Sequence, residues 1–544
     1  MRDFLKKALS LLCSAALTVT VSGAFSASAD WEHIGYMGDL NRDKDVTLAD
    51  LVIMSRHLHG VEPLSNANSY HVKKSFIGIH GADGFQAGEY FVTADINQDG
   101  QVDVFDMIQL RKNIISQDNP WIWQWESEQN LPEDPLEDYG EFIGAPVDDV
   151  EKYLPSHGDA KLLIIYADFE DCKYEYNPSP EDIERIAFGP EDESSNMYPF
   201  ESATAFYARS SKGSMHLSGN AFPYTAKESV KNYHLVPGQK KLVTEALAEL
   251  DAKVDFHDYD GDNDGFIDTV LLIVPKEAGD ETWWPAAVPF SNDAYKYDGL
   301  QIGHMITGNC QINSATDYRD FTNTILHEMG HCMGLPDYYL YDVEGDHDGL
   351  HGTAGSEMMD DSGGDFSCVS KLQLGWYRKD QVMIFEPTEE LNNYTLYNAQ
   401  SDRGNTLIIP CGELDDRYHC ECIMLEYTTK DANNSSPPWY VQIGEGVRAY
   451  HADMTLHDNG WWVSYKYASG SEFTNNYNGR RFIRLINDYK GDNIFKPFDF
   501  LSYFTEGFAW YDENDEATKD VKMEIMVGNM DGESCTLTIQ SKWE

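Results

Sequence analysis

Positive charge is what this sequence has least of. Across 544 residues, 40 Lys and Arg stand against 92 Asp and Glu, a net charge of −52. So acidic a surface repels nucleic acid and anionic membranes, and it favours hard cations such as calcium as partners. Cysteine is also scarce, with nine in all and no Cys-x-x-Cys; Cys420-Glu421-Cys422 is too tight for a usual zinc knuckle. No apolar stretch reaches the ~20 residues that span a bilayer. Core-forming residues are not lacking: 42% are hydrophobic and 13% aromatic, too many for a disordered acidic chain. At roughly 100–200 residues per domain, the length predicts two to four domains.

The N-terminus reads as an export signal. Arg2, Lys6 and Lys7 precede a mostly apolar run at 8–21, and Ala27-Ser28-Ala29 supplies the small residues of a cleavage site before Asp30. Cleavage removes Cys13 and leaves Cys172, Cys310, Cys332, Cys368, Cys411, Cys420, Cys422 and Cys535. An exported chain permits disulfides among these, and buried free thiols are equally open.

A loop is then repeated. Counted from Asp39, oxygen ligands fall at Asp39, Asn41, Asp43, Thr47 and Asp50, with the backbone carbonyl of Asp45 between them. Counted from Asp95, they fall at Asp95, Asn97, Asp99, Asp103 and Asp106, with the carbonyl of Gln101. Alternate residues of a tight turn point oxygens inward, and calcium needs six to eight of them. Each loop runs into a helix marked by Leu51, Met54 and Leu58 or by Met107, Leu110 and Ile114.

Paired loop-helix units of this kind resemble the dockerin module of cellulosomes. The resemblance implies two calcium ions and a cohesin module of a scaffoldin as partner, with the protein secreted and held on a cellulosome or cell surface. Residues 30–117 form this module, with 61–90 as an insertion. Lys44 occupies the turn position where the second loop has Gly100, at a cost of ~1 kcal/mol, so the second loop is expected to hold calcium more tightly. Residues 118–144, rich in acids, proline and tryptophan, read as an acidic linker.

The segment ILHEMGHCMGLPD at 325–337 carries the chemistry. Ile325, Leu326, Met329, Cys332 and Met333 recur at helical spacing, so His327 and His331 lie one turn apart on one face. Two imidazoles so placed can share one zinc ion, and Glu328 beside them can hold the attacking water. Gly334 can end the helix in the left-handed conformation and Pro336 prevents its resumption. The reversed chain can then bring Asp337 to the metal.

Four further segments accompany it: KLLIIYADFED at 161–171, FYARSSKGSMHLSGN at 206–220, SKLQLGWYR at 370–378 and GEGVRAYHADM at 444–454. Together with the zinc segment they resemble the immune inhibitor A family of secreted zinc metallopeptidases, over roughly residues 155–540. The resemblance implies an α/β zincin catalytic domain of metzincin-like type, with zinc on His327, His331 and Asp337 and with Glu328 as general base. It also implies a methionine turn under the metal, for which Met359 is the candidate and Met358 its neighbour. The tyrosine that many related zinc peptidases carry two residues after that methionine is absent here, so transition-state stabilisation is unassigned.

A third acidic loop places Asp260, Asp262, Asp264 and Asp268 as ligands of a structural calcium ion, followed by an apolar strand rather than a helix. From about residue 386, short alternating runs separated by Asn, Asp and Gly predict a β-rich domain. The expected order is therefore a signal at 1–29, dockerin, linker, peptidase at 145–385 and β-rich domain at 386–544. The expected function is a protein-hydrolysing zinc endopeptidase docked on a scaffoldin. The competing classes are a catalytically inactive peptidase-like binding protein and, more weakly, a carbohydrate-active enzyme.

Overall fold

The two repeated helices come first. In the computed structural model, α1 (Leu48–Leu58) and α2 (Val104–Ser116) pack Met54 against Leu110, with Leu40, Ala94 and Ile96 completing a small core. The last carboxylate of each loop turns back on its own start. Asp50 Oδ1 accepts the Leu40 N–H at 2.8 Å, and Asp106 Oδ1 accepts the Ile96 N–H at 2.7 Å. The same bond at the same loop positions is what a duplicated sequence should build. Gly38 is required here: its φ is +88°, and a Cβ would lie 2.6 Å from Leu110 Cδ1.

The chain divides into two units, Met1–Gly140 and Glu141–Glu544. In the first the structure describes residues 31–36, 38–40, 46–58, 69–71, 76–80, 85–86, 90–92, 94, 96, 104–116 and 121–125. In the second it describes 142–541, except 291–295, 340, 342–351, 362, 388–390, 437–443, 474–479, 487–493, 513 and 519–520. The export signal at 1–29 and the loop ligands Asn41, Asp43, Asp45, Asp95, Asn97, Asp99, Gln101 and Asp103 lie outside the described residues. No helix among the described residues is long and apolar enough to cross a membrane.

The reading of 118–144 as linker needs correction at both ends. Strand β1 (Trp31–Tyr36), then β2 (Phe76–His80), β3 (Phe85–Gln86) and β4 (Trp121–Trp125) form a sheet in the order β1-β4-β2-β3. Trp31 pairs with Trp125 and Tyr36 with Trp121, so the ends of the module are tied together by backbone bonds. The run Trp-Ile-Trp-Gln-Trp has the aromatic and β-branched content of a strand, and this outweighs its acidic flanks. At the other end, Ile143 is buried in the second unit and donates its N–H to Tyr377 at 2.8 Å. Described residues of the inserted stretch add β2 and β3, and a separate pair joins Ser69–His71 with Tyr90–Val92.

In the second unit, β5 (Gly158–Asp168) and β6 (Met215–Thr225) flank α3 (Pro180–Phe188) and α4 (Ala203–Ser210). Next come α5 (Leu235–Leu250), β7 (Thr269–Val274), β8 (Ala286–Pro289), β9 (His304–Asn309) and α6 (Arg319–Cys332). The sheet runs β8-β9-β7-β5-β6, parallel throughout except for β8, which is antiparallel to β9 at the edge. Along β5, Leu162, Ile164 and Tyr166 join the core that holds α6, whereas Leu163, Ile165 and Ala167 join the core under α5. A run apolar on both faces is the pattern of a buried parallel strand.

The C-terminal part is a sandwich. Strands β10 (Val382–Ile384), β12 (Thr406–Pro410), β13 (Glu421–Thr428), β14 (Gly446–Asp453) and β15 (Ile483–Leu485) make one sheet. Strand β11 (Asn392–Tyr397) with β16 (Phe500–Leu501), β17 (Met523–Met530) and β18 (Ser534–Ser541) makes the other, ordered β11-β18-β17-β16. Leu407, Ile423, Leu425 and Val447 face the second sheet, while Ile408, Met424 and Tyr450 enter the core that holds α6. The expected boundary at 385/386 therefore crosses a shared core, and 141–544 is one unit. All eight cysteines after Cys13 are free thiols, six of them buried.

Candidate metal centre

Helix α6 is amphipathic and buries Phe321, Ile325, Leu326, Met329 and Cys332. Gly334 ends it at φ +100°, with the Leu335 N–H bonded to the Gly330 carbonyl at 3.0 Å and the Gly334 N–H to that of His331 at 2.9 Å. This left-handed cap turns the chain so that Asp337 faces the two histidines. Asp337 Oδ1 lies 3.0 Å from His327 Nε2 and 3.2 Å from His331 Nε2.

The other ring nitrogens fix how the two rings are turned. His327 Nδ1 lies 2.8 Å from the Met358 carbonyl and His331 Nδ1 2.8 Å from the Leu335 carbonyl. A carbonyl oxygen only accepts, so each Nδ1 donates its N–H and each Nε2 is left facing Asp337. Two Nε2 atoms and a carboxylate oxygen so placed could hold one cation, and imidazole with carboxylate is a donor set that zinc takes. Without one, a proton fills the gap. Burial alone would lower His331, but the hydrogen bond and charge of Asp337 outweigh it and lift the ring to about 9. Burial likewise opposes the charge on Asp337, and hydrogen bonds from both histidines hold its carboxyl well below the usual range.

Glu328 is nearly buried beside them. Burial raises its carboxyl above the ordinary value, partly offset by His331 and His327, and the backbone N–H of Ala287 on β8 bonds to it. That bond puts Glu328 against the antiparallel edge strand. Two short helices, α7 (Met358–Asp361) and α8 (Cys368–Gln373), lie nearby. A Cβ on Gly330 would fall 2.2 Å from Met359 Sδ, so this sulfur packs against the helix at Gly330, one residue before His331. Met358 contributes its carbonyl instead. Glu357 is committed below the turn, accepting from the Met359 and Ser367 N–H groups and the Ser370 hydroxyl.

Three neighbours were not read from the sequence. The Tyr341 hydroxyl donates to Asp337 Oδ2, and the Tyr339 ring stacks over His327 at 6.4 Å between centroids. Their closeness to Asp337 in Tyr338-Tyr339-x-Tyr341 was the available signal. His304, on β9, is held down to about 4 by burial and by His331, and nothing in its sequence surroundings marks it.

The acidic loop is only partly gathered. Asp260, Asp262 and Asp268 bring oxygens within 4.8 Å of one another, whereas Asp264 does not join them and accepts the Phe266 N–H at 2.8 Å instead. Asp268 is buried and raised to about 8 by that burial, against N–H bonds from Gly261 and Lys161. A further exposed group, Asp255, His257 and Asp298, escaped the sequence reading because Asp298 comes from a distant turn. In the first unit, Asp39, Asp50 and Asp106 are buried as loop ligands should be, and Thr47 donates its N–H to Asp50 Oδ2 at 2.7 Å.

Residues 37–115 match the dockerin type I domain family, and the match takes in both loop repeats. A dockerin binds calcium and implies docking through a cohesin onto the scaffoldin of an extracellular cellulosome. No curated protein matches the chain.

Proposed function

We propose that residues 141–544 form a zinc-dependent endopeptidase of zincin type, related to the immune inhibitor A peptidases and carried to a cohesin by the dockerin. The observation that carries this reading is the convergence of His327 Nε2, His331 Nε2 and Asp337 Oδ1, with Glu328 at its side. Zinc, when bound, supplies a Lewis acid that makes water a ready nucleophile and polarises a carbonyl.

The chain's own residues supply the rest. The carbonyls of Met358 and Leu335 fix both imidazole tautomers and ring orientations through Nδ1–H. Glu328, on the α6 face beside β8, takes the proton of the attacking water on its carboxylate and returns it to the departing amine. The outer edge of β8 pairs with no strand among the described residues, so its backbone can hold an extended peptide by strand addition. Tyr341 orients Asp337 through its second oxygen. Hydrolysis of casein by the chain, lost in Glu328→Ala while zinc is retained, tests the reading.

A further inference from the structure

A cleft of about 220 Å³ opens beside the start of β8, lined by Lys276, Trp284, Asn309, Gln311, Asn313 and Asp320. Helix and strand geometry fix its place relative to the base. Asp320, Thr324 and Glu328 stand four apart on α6, so they share one face at about 6 Å per step. The Thr324 hydroxyl, which donates to the Asp320 carbonyl at 2.8 Å, lies 3.5 Å from Gln311 Oε1, which places the cleft beside the turn just before Glu328. Trp284 precedes Ala287 by three residues, about 10 Å at the rise of a strand. An extended peptide lying along β8 therefore carries a residue two or three positions from the cleaved bond over this cleft.

The lining decides what fits. Lys276 and Asp320 bear opposite charges, so an ionic side chain meets no net attraction. Gln311 and Asn313 line it with amides, of which the Asn313 Nδ2 already donates to Asp317 at 3.1 Å, and beside these polar groups only Trp284 and Pro285 offer apolar wall, too little for a large aliphatic side chain. Yet Trp284 is 72% exposed at the rim, next to the fully buried Trp283. A flat apolar face above a neutral, hydrogen-bonding floor complements a ring with C–H bonds on one side and hydroxyls around its edge. We infer that the cleft is a subsite for a neutral sugar carried on the substrate, so that the preferred substrates are glycosylated proteins. The inference rests on the endopeptidase reading above.

Its test compares peptides of one sequence, bare or bearing a single neutral O-linked sugar two or three residues to either side of the cleaved bond. The glycopeptide with the sugar over the cleft should be cleaved with kcat/KM ~10-fold or more above the bare peptide, and Trp284→Ala should bring that ratio close to one. Equal kcat/KM for all peptides, or a ratio unmoved by Trp284→Ala, overturns the inference. Binding to the Glu328→Ala protein, followed by calorimetry, supplies a readout free of catalysis. Glycopeptide should bind that protein more tightly than bare peptide, with the difference lost when Trp284→Ala is added; equal binding overturns the subsite. If the wild-type chain cleaves no peptide while that binding difference holds, the endopeptidase reading falls and the sugar subsite stands.

Discussion

Glu357 lies wholly buried under the candidate metal centre, where burial outweighs three hydrogen bonds and lifts its carboxyl from 4.5 to about 8. An acid raised in this way favours the folded state while it is protonated. Its contribution is full below pH 4.5 and is lost as pH rises through 8, because the folded chain then holds a proton that the unfolded chain has released. Between pH 5 and pH 8 the loss comes to ~3–4 kcal/mol. Glu357→Gln cannot titrate and escapes this loss, although its amide NH₂ must face an N–H donor at a constant cost of ~1–3 kcal/mol. The diagnostic quantity is therefore the change with pH in the melting gap between the two proteins. For a unit of roughly 400 residues, a loss of that size corresponds to about 4 °C. Calorimetry at matched scan rates from pH 5 to pH 8 should show the gap moving by that much in favour of Glu357→Gln. A constant gap would refute the assignment of a buried, protonated Glu357.

Asp337→Ala should lose zinc on dialysis, since two imidazoles remain without the charge that offsets the dication. Full retention would move the third ligand to Asp342, Glu344 or Asp346, because Glu357 is engaged beneath the methionine turn. Chelating calcium should abolish capture of the full chain by a cohesin, as the loop carboxylates then repel one another; undiminished capture would contradict calcium-dependent docking. A chain ending at residue 385 should fail to fold as a peptidase, because Ile408, Met424 and Tyr450 leave the core that holds α6. Soluble, active protein from that truncation would show that the core is not shared.

What the sequence made legible was whatever lies within a few residues of itself. The spacing of His327 and His331, the cap at Gly334 and the stop at Pro336 are local, and the structure shows each as a local device. The repeated loops are local too, down to the matching bonds of Asp50 and Asp106. The shared core was hidden because all eight residues of β14 are buried while three are polar, which breaks any apolar run. Arg448, His451 and Asp453 are tolerated there through partners from elsewhere, such as Glu421 for His451 and Arg480 for Asp453. Strand β4 was masked by the acids and prolines that follow it. The placements of Tyr341, His304 and Ala287 depend on what a turn or a sheet edge brings to the candidate metal centre, and spacing along the chain carries no trace of that.

The most direct measurement is zinc per chain, taken together with casein hydrolysis, for the wild-type protein and Glu328→Ala. The expected result is about one zinc ion in each protein, with hydrolysis in the wild type lowered ~10²–10⁴-fold or more in the variant. Wild-type protein that binds no zinc, or that hydrolyses casein as fast without Glu328, would contradict the zinc endopeptidase.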